Sequence, residues 1–279
     1  METQEEGVTA NSPLISVIGT ASLDVVHLAQ GKTVEASGGA GLYTALAAYR
    51  AGANVILFAP RPQPMPPGLQ PVADVLQWEG PLIPPEQLPR LEIAHHGNGT
   101  ATLLQASWGA EAALRPELLP AALLRSAYVH IAALSSARRQ LDFLARLQEQ
   151  RLKISVGTYA KLVYQQTAQV GDLFEAADCF FMNENEARGL FGSIEQAQTK
   201  AGRLLFITRA AGGVVVVTGE EATPVRGWPA VEIDPTGAGD TFCGATLAGL
   251  AQGMSPLAAA GNGVRMAARA VEVVGAFGM

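Results

Sequence analysis

The sequence predicts an α/β layer fold with a mainly parallel sheet. Three observations carry that expectation: short apolar runs recur along the chain, helical periodicity fills the segments between them, and no run reaches the roughly 18 apolar residues of a membrane span. The runs are Ile15–Gly19, Asn54–Ala59, Ala127–Ala132, Lys153–Gly157, Cys179–Asn183, Leu204–Thr208 and Gly213–Thr218. Most are apolar throughout rather than alternating, which suits strands covered on both faces. Between them, Leu42, Ala45, Leu46 and Tyr49 fall at i, i+3, i+4 and i+7, and Leu141, Leu144 and Leu147 recur every third residue. Strands alternating with helices feed a parallel sheet.

Two segments break the alternation. Residues 60–89 hold ten of the 17 prolines, a density that predicts a loop-rich excursion without regular strands. Beyond it, Leu91–His96 and Thr100–Trp108 flank Gly97-Asn98-Gly99. A Gly/Asn turn between two extended runs predicts a hairpin, so a small β appendage is expected at about 91–108.

Composition narrows the function. A chain of 279 residues is one large domain or two small ones, and 48% apolar with 16% charged residues is enough for a sizeable core. The net charge of −6 leaves no basic footprint for nucleic acid. Two cysteines, Cys179 and Cys243, make neither a disulfide framework nor a zinc site. His27, His95, His96 and His130 show no HExxH spacing. The opening METQEEGVTANSP lacks the apolar core of a signal peptide, so a cytoplasmic location is expected and no membrane partner.

The segment Val231–Leu250 carries the chemistry. An apolar stretch ends at Ile233, a Pro/Gly turn follows, and an amphipathic helix is predicted from near Asp240 to about Gln252. A helix N-terminus offers free N–H groups and the positive end of a dipole. Glycines at 237 and 239 let an anion approach those groups closely. A carboxylate at the same turn is badly placed for a resting phosphate but well placed to take a proton from a hydroxyl attacking a phosphoryl group. Asp is also a common N-cap, so Asp240 reads either as cap or as base. Other nucleotide motifs fail. Gly31-Lys32-Thr33 lacks the upstream glycine of a P-loop, position 26 being Val, and Gly237-Ala238-Gly239 runs on to Phe242 rather than to a third Gly.

The nine-residue string Asp234–Phe242 resembles the second signature of the PfkB carbohydrate kinase family, in the ribokinase-like superfamily. Further motifs fall in the family's order across about 14–276: Ser22-Leu23-Asp24, the Gly-Gly motif beginning Ser37-Gly38-Gly39, Asn183-Glu184-Asn185-Glu186, and Gly261-Asn262-Gly263 opening a late helix. The resemblance implies a ribokinase-like three-layer sandwich: a single kinase domain over 14–279 after a flexible tail (1–13), with the 91–108 appendage as a β-lid. It implies an ATP-dependent kinase for a sugar, polyol or nucleoside hydroxyl. Asp240 would be the general base, and the N–H groups of Gly237, Ala238, Gly239 and Asp240 the anion hole. Asp24, Gly38, Gly39 and Tyr43 would bind the acceptor. Thr208, Gly213 and Asn262 would border the nucleotide. Glu186, supported by Asn183, would act through water on Mg²⁺. Asp234 and the loop Val274–Ala276 would hold K⁺, and the lid would mediate a homodimer. A non-catalytic binding or regulatory protein on the same fold is the alternative.

The chain departs from the family on the acceptor side. Tyr43 stands where many members have Asn, Ala40 where they often have Lys, and Thr158-Tyr159 where many carry Asp. Pro60-Arg61-Pro62 replaces the usual Gly-x-Asp turn. These changes suggest an acceptor other than ribose.

Overall fold

The computed structural model describes residues 12–96 and 101–278. Most of the expected tail and the Gly97-Asn98-Gly99 turn lie outside the described residues. Chain order runs β1 (Leu14–Ile18), β2 (Ser22–His27), β3 (Thr33–Gly38), α1 (Ala40–Arg50), β4 (Asn54–Phe58), β5 (Arg61–Pro62), α2 (Gln70–Val75), β6 (Gln77–Glu79), β7 (Leu82–Ile83), β8 (Arg90–His95) and β9 (Ala101–Ser107). It continues with β10 (Tyr128–Ile131), α3 (Ala137–Gln148), β11 (Ile154–Gly157), α4 (Ala160–Gln165), α5 (Thr167–Ala176), β12 (Cys179–Asn183), α6 (Glu184–Phe191), β13 (Leu204–Thr208), β14 (Val214–Thr218), β15 (Glu221–Val225), α7 (Ala238–Ala251) and α8 (Pro256–Ala270).

All seven predicted strands form, and they sit together. The main sheet has the order β15-β14-β13-β12-β11-β10-β1-β4-β6. It is parallel except where β14 pairs antiparallel with β13 and β15. Side chains alternate across it. Phe181, Phe206, Val214 and Val216 enter the core shared with α1, α7 and α8. Phe180, Leu205, Ile207, Val215 and Val217 enter the core shared with α3, α4, α5 and α6. Burial on both faces is why these strands read as continuous apolar runs. The result is three layers, helix–sheet–helix.

Phe181 stacks on Phe206 with centroids 4.8 Å apart, and Phe242 of α7 meets both rings edge-on at 6.0 Å. This cluster fixes the start of α7 against the sheet. Phe206→Ala is expected to cost about 3–5 kcal/mol, as fully buried aromatic truncations do. Urea unfolding measures it, and a loss well below that range would remove the cluster as an anchor of α7.

Four expectations need correction. The Pro-rich stretch is not strandless: β6 adds to the edge of the main sheet beside β4, and β5 pairs with β7. Prolines there fall mostly between elements or at their first positions, where no ladder hydrogen bond is lost. The expected hairpin forms as β8–β9, but it is half of a four-stranded sheet, β3-β2-β8-β9, whose other half the sequence reading missed. α7 (Ala238–Ala251) falls where expected, but every residue from Thr241 to Gly249 is buried, so it is not amphipathic. It is flanked by α1 and α8 and faces the sheet, which leaves no polar face to read. Gly261-Asn262-Gly263 lies in the middle of α8 rather than opening it. A side chain at Gly263 would collide with Thr246 and Phe242, so this glycine sets the close approach of α8 to α7.

Candidate active site

The C-terminal ends of parallel strands in an open α/β sheet form a crevice by construction. Here Thr20 follows β1, Ala133 follows β10 and Thr158 follows β11, and all three border a cavity of about 230 Å³. The small sheet closes one side through Asp24 and Leu91, and the turn before α7 closes the other through Thr236, Gly237 and Asp240. Two grooves of about 480 Å³ lie elsewhere, each with a single charged residue, Arg125 in one and Glu35 in the other. Of these three, as lined by the described residues, the cavity of about 230 Å³ is the one with two carboxylates, Asp24 and Asp240, and it is the candidate site.

Asp240 is the third residue of α7, not its cap. The cap is Gly237, in the left-handed region at φ 74°, with no side-chain hydrogen bond. The N-cap alternative for Asp240 is therefore overturned. In the first turn the N–H groups of Gly239 and Asp240 have no intrahelical carbonyl to reach, and they open toward the cavity end of the helix. The Ala238 N–H lies 3.3 Å from the Pro235 carbonyl. A side chain at Gly239 would meet nothing within 4 Å, so this approach is open. Desolvation in the crevice raises the Asp240 carboxyl to about 7, and the nearby Glu186 charge adds to the rise.

Asp24 faces the cavity from β2. It is buried and accepts the Leu91 N–H at 2.9 Å, while burial lifts its carboxyl to about 6. Gly38 makes room for it, since a side chain there would sit 2.0 Å from Asp24 Oδ2. Gly39, at φ 99°, caps α1 and lines the cavity. Tyr43 is buried, with its ring against Gly237, and burial plus the charges of Asp234, Asp24 and Asp240 keep its hydroxyl protonated.

The residues expected to serve the nucleotide and Mg²⁺ are placed as follows. Asn183 and Glu186 form a reciprocal cap at the start of α6: Glu186 N donates to Asn183 Oδ1 (3.0 Å), and Asn183 N donates to Glu186 Oε2 (2.8 Å). Glu186 is buried, and desolvation raises it to about 7. Thr208 sits beside Asn183 in register, and Gly213 turns the chain at φ 88° between β13 and β14. Asn262 bonds Met254 and Arg265 along α8, and Arg209 is exposed. None of Thr208, Gly213 or Asn262 borders the cavity that holds Asp240.

Asp234 is engaged by N–H groups on several sides. Thr236 N donates to Oδ1 at 3.0 Å, Gly275 N to Oδ2 at 3.3 Å, and His95 Nε2 lies 3.0 Å from Oδ1. His95 thus faces Asp234, while the exposed His96 pairs with Thr102 at 2.8 Å. The donor set around Asp234 is the wrong kind for a cation, which needs oxygen atoms turned toward it.

Thr158-Tyr159, read from the sequence as a departure on the acceptor side, does line the cavity, and Trp108 joins it there, which the sequence did not announce. Trp108 and Tyr159 stand side by side, with ring centroids 6.1 Å apart and planes at 46°. The Thr158 and Tyr159 hydroxyls are buried without a hydrogen-bond partner among the described residues. Position at the C-terminal end of β11 is what places Thr158 and Tyr159 at the crevice. Trp108 follows a lid strand instead.

Comparison with known proteins gives the family and the fold. The pattern of the pfkB family carbohydrate kinases matches residues 83–278. A cytidine kinase from Thermococcus kodakarensis is 28% identical over 250 residues, covering 85% of this chain and 88% of that protein. The structure of a Burkholderia thailandensis nucleoside kinase in complex with inosine superposes with a TM-score of 0.79 at 16% identity, covering 94% and 92% of the two chains. Ribokinase from Cryptococcus neoformans, in complex with ADP, gives 0.75 at 19% identity and covers 95% of each. At such identities the structures establish the fold, a ribokinase-like three-layer sandwich. With the family pattern covering residues 83–278, more than half of the chain, this chain belongs to the pfkB carbohydrate kinase family, as an ATP-using phosphotransferase with a hydroxyl acceptor.

Proposed function

We propose that this protein phosphorylates a hydroxyl of a nucleoside, with Asp240 as the general base. The carrying observation is the Asp240 carboxyl in the first turn of α7, raised to about 7 and facing Asp24 across one cavity. In that position it takes the proton of the acceptor hydroxyl as the oxygen attacks the γ-phosphorus and ADP leaves. The first-turn N–H groups of α7 receive the charge that develops on the phosphoryl oxygens. Asp24, largely ionised at neutral pH, accepts hydrogen bonds from the remaining sugar hydroxyls and holds the reacting one in line.

The aromatic wall favours a nucleoside over a free sugar. Trp108 and Tyr159 offer π-faces to a flat base, and the Thr158 and Tyr159 hydroxyls offer hydrogen bonds to its edge. The similarity to a cytidine kinase and to a nucleoside kinase supports the same class. ADP release with a panel of nucleosides and free pentoses and hexoses tests this. Nucleosides are expected to give the higher kcat/KM. No ADP release with any member would sink the kinase reading, and preference for free sugars would sink the nucleoside class.

Among the described residues no group of three or more His, Cys, Asp or Glu is arranged to hold a metal. Mg²⁺ would therefore ride on the nucleotide phosphates, neutralising their charge, with Glu186 holding its water shell. Glu186→Gln keeps the capping bond from the Asn183 N–H through its amide oxygen and gives up the one from Asn183 Nδ2. It is expected to raise the Mg²⁺ concentration needed for half-maximal rate in a protein that still folds. An unaltered magnesium titration would leave Glu186 as a cap alone.

A further inference from the structure

The Asp234 carboxylate is 1% exposed and lies three residues before the glycine that caps α7. A buried carboxylate without compensation is strongly unfavourable, so something must supply positive charge or hydrogen-bond donors to it. Here the donors are all N–H groups of the chain. Oδ1 has the Thr236 N–H and His95 Nε2, each at 3.0 Å, which fills both of its lone pairs. Oδ2 has the Gly275 N–H at 3.3 Å. His95 is itself 7% exposed, and Nε2 also lies 3.3 Å from Thr236 Oγ1. A ring nitrogen this close to a carboxylate carries its hydrogen, since a bare lone pair would face another. His95 ends β8, so the contact joins the small sheet to the turn that presents Gly237 and Asp240.

We propose that His95 is a positioning residue that takes the place of a monovalent cation at Asp234, locking the anion-hole turn to the small sheet. The inference rests on the kinase reading for its consequence in turnover, but not for its geometry. A cation at this carboxylate would have to displace the imidazole, which occupies the second lone pair of Oδ1. With His95 in place the turn needs no ion to hold it.

Thermal melts and steady-state kinetics in KCl, NaCl and tetramethylammonium chloride at equal ionic strength test the proposal. The wild-type protein is expected to melt at the same temperature and turn over at the same rate in all three. His95→Ala is expected to lose roughly 10–10²-fold in kcat, the scale of a misplaced reacting geometry, with little change in the nucleotide KM. Its vacated carboxylate should then take K⁺, seen as a K⁺-specific rise in melting temperature and partial recovery of kcat. His95→Gln, whose amide can still donate to Asp234, should keep most of the activity. A K⁺-specific rise in the wild-type melting temperature would overturn the proposal, as would unchanged kcat in both variants. Should His95→Ala not fold, the wild-type and His95→Gln arms still decide. The melts require no turnover, so they separate failure of this proposal from failure of the kinase reading.

Discussion

Asp240→Asn is expected to lower kcat by roughly 10²–10⁴, the range a positioned general base supplies. The substitution keeps the size of the side chain and removes only its capacity to take a proton. No cap is lost, because Gly237 rather than Asp240 caps α7. Nucleotide affinity should hold or rise slightly, since a negative charge near the phosphates has gone. Stability has a definite sign. The folded carboxyl titrates at about 7 against an ordinary value of 3.8, so its charge is disfavoured by folding. Its contribution is most favourable below about pH 4 and is lost as pH rises through 7. At pH 8 the Asn variant should therefore melt at or above the wild-type temperature, and the difference should vanish near pH 4. The wild-type kcat/KM should fall as pH drops below about 7, where the base becomes protonated. Because Glu186 also titrates near 7 and interacts with Asp240, that limb belongs to the pair. Wild-type-like turnover in Asp240→Asn would remove the catalytic assignment.

The main sheet was legible in the sequence because its strands are covered on both faces, so β-branched runs such as Val214–Thr218 have no polar alternation to disguise them. β2 and β3 were not legible for the opposite reason. In Ser22–His27 the buried positions include the polar Ser22 and Asp24, and in Thr33–Gly38 the first four residues are exposed or half-exposed, so neither shows an apolar face. β6 is three residues long, too short for any periodicity, and its burial rests on Trp78. On the site, the residues whose type is dictated by local backbone geometry were readable: Gly237 at φ 74°, Gly39 at φ 99°, and Asp240 by its place after them. The pairing of His95 with Asp234 spans 139 positions of sequence, and no local pattern announces such a contact. Trp108 and Tyr159 meet only because the end of the small sheet folds over the end of β11. Roles that depend on tertiary meeting points are hidden in a single sequence, whereas roles that depend on backbone conformation are written in its glycines.

Gly237→Ala is expected to reduce kcat by roughly 10²–10³, the scale of losing one oriented oxyanion donor. Two independent effects act on this residue. Its φ of 74° is in the left-handed region, which costs an L-residue about 1–2 kcal/mol. Its Cβ would also stand 2.4–2.5 Å from three atoms of the Tyr43 ring, far inside contact distance. Tyr43 is 3% exposed and packed into the α1 core, so the ring cannot swing away. The turn must move instead, carrying with it the first N–H groups of α7 and the Asp240 carboxyl. Tyr43, expected from the sequence to touch acceptor, is thus also the surface on which the anion-hole turn rests. Adding Tyr43→Ala to Gly237→Ala removes the collision but leaves the backbone cost. The double variant should therefore recover part of the lost kcat, although Tyr43→Ala alone is expected to be harmful. That positive coupling is the signature of two residues in direct contact. Strictly additive losses, or a Gly237→Ala enzyme with kcat close to wild type, would mean that the turn is not held by Tyr43 and that its exact placement does not limit phosphoryl transfer.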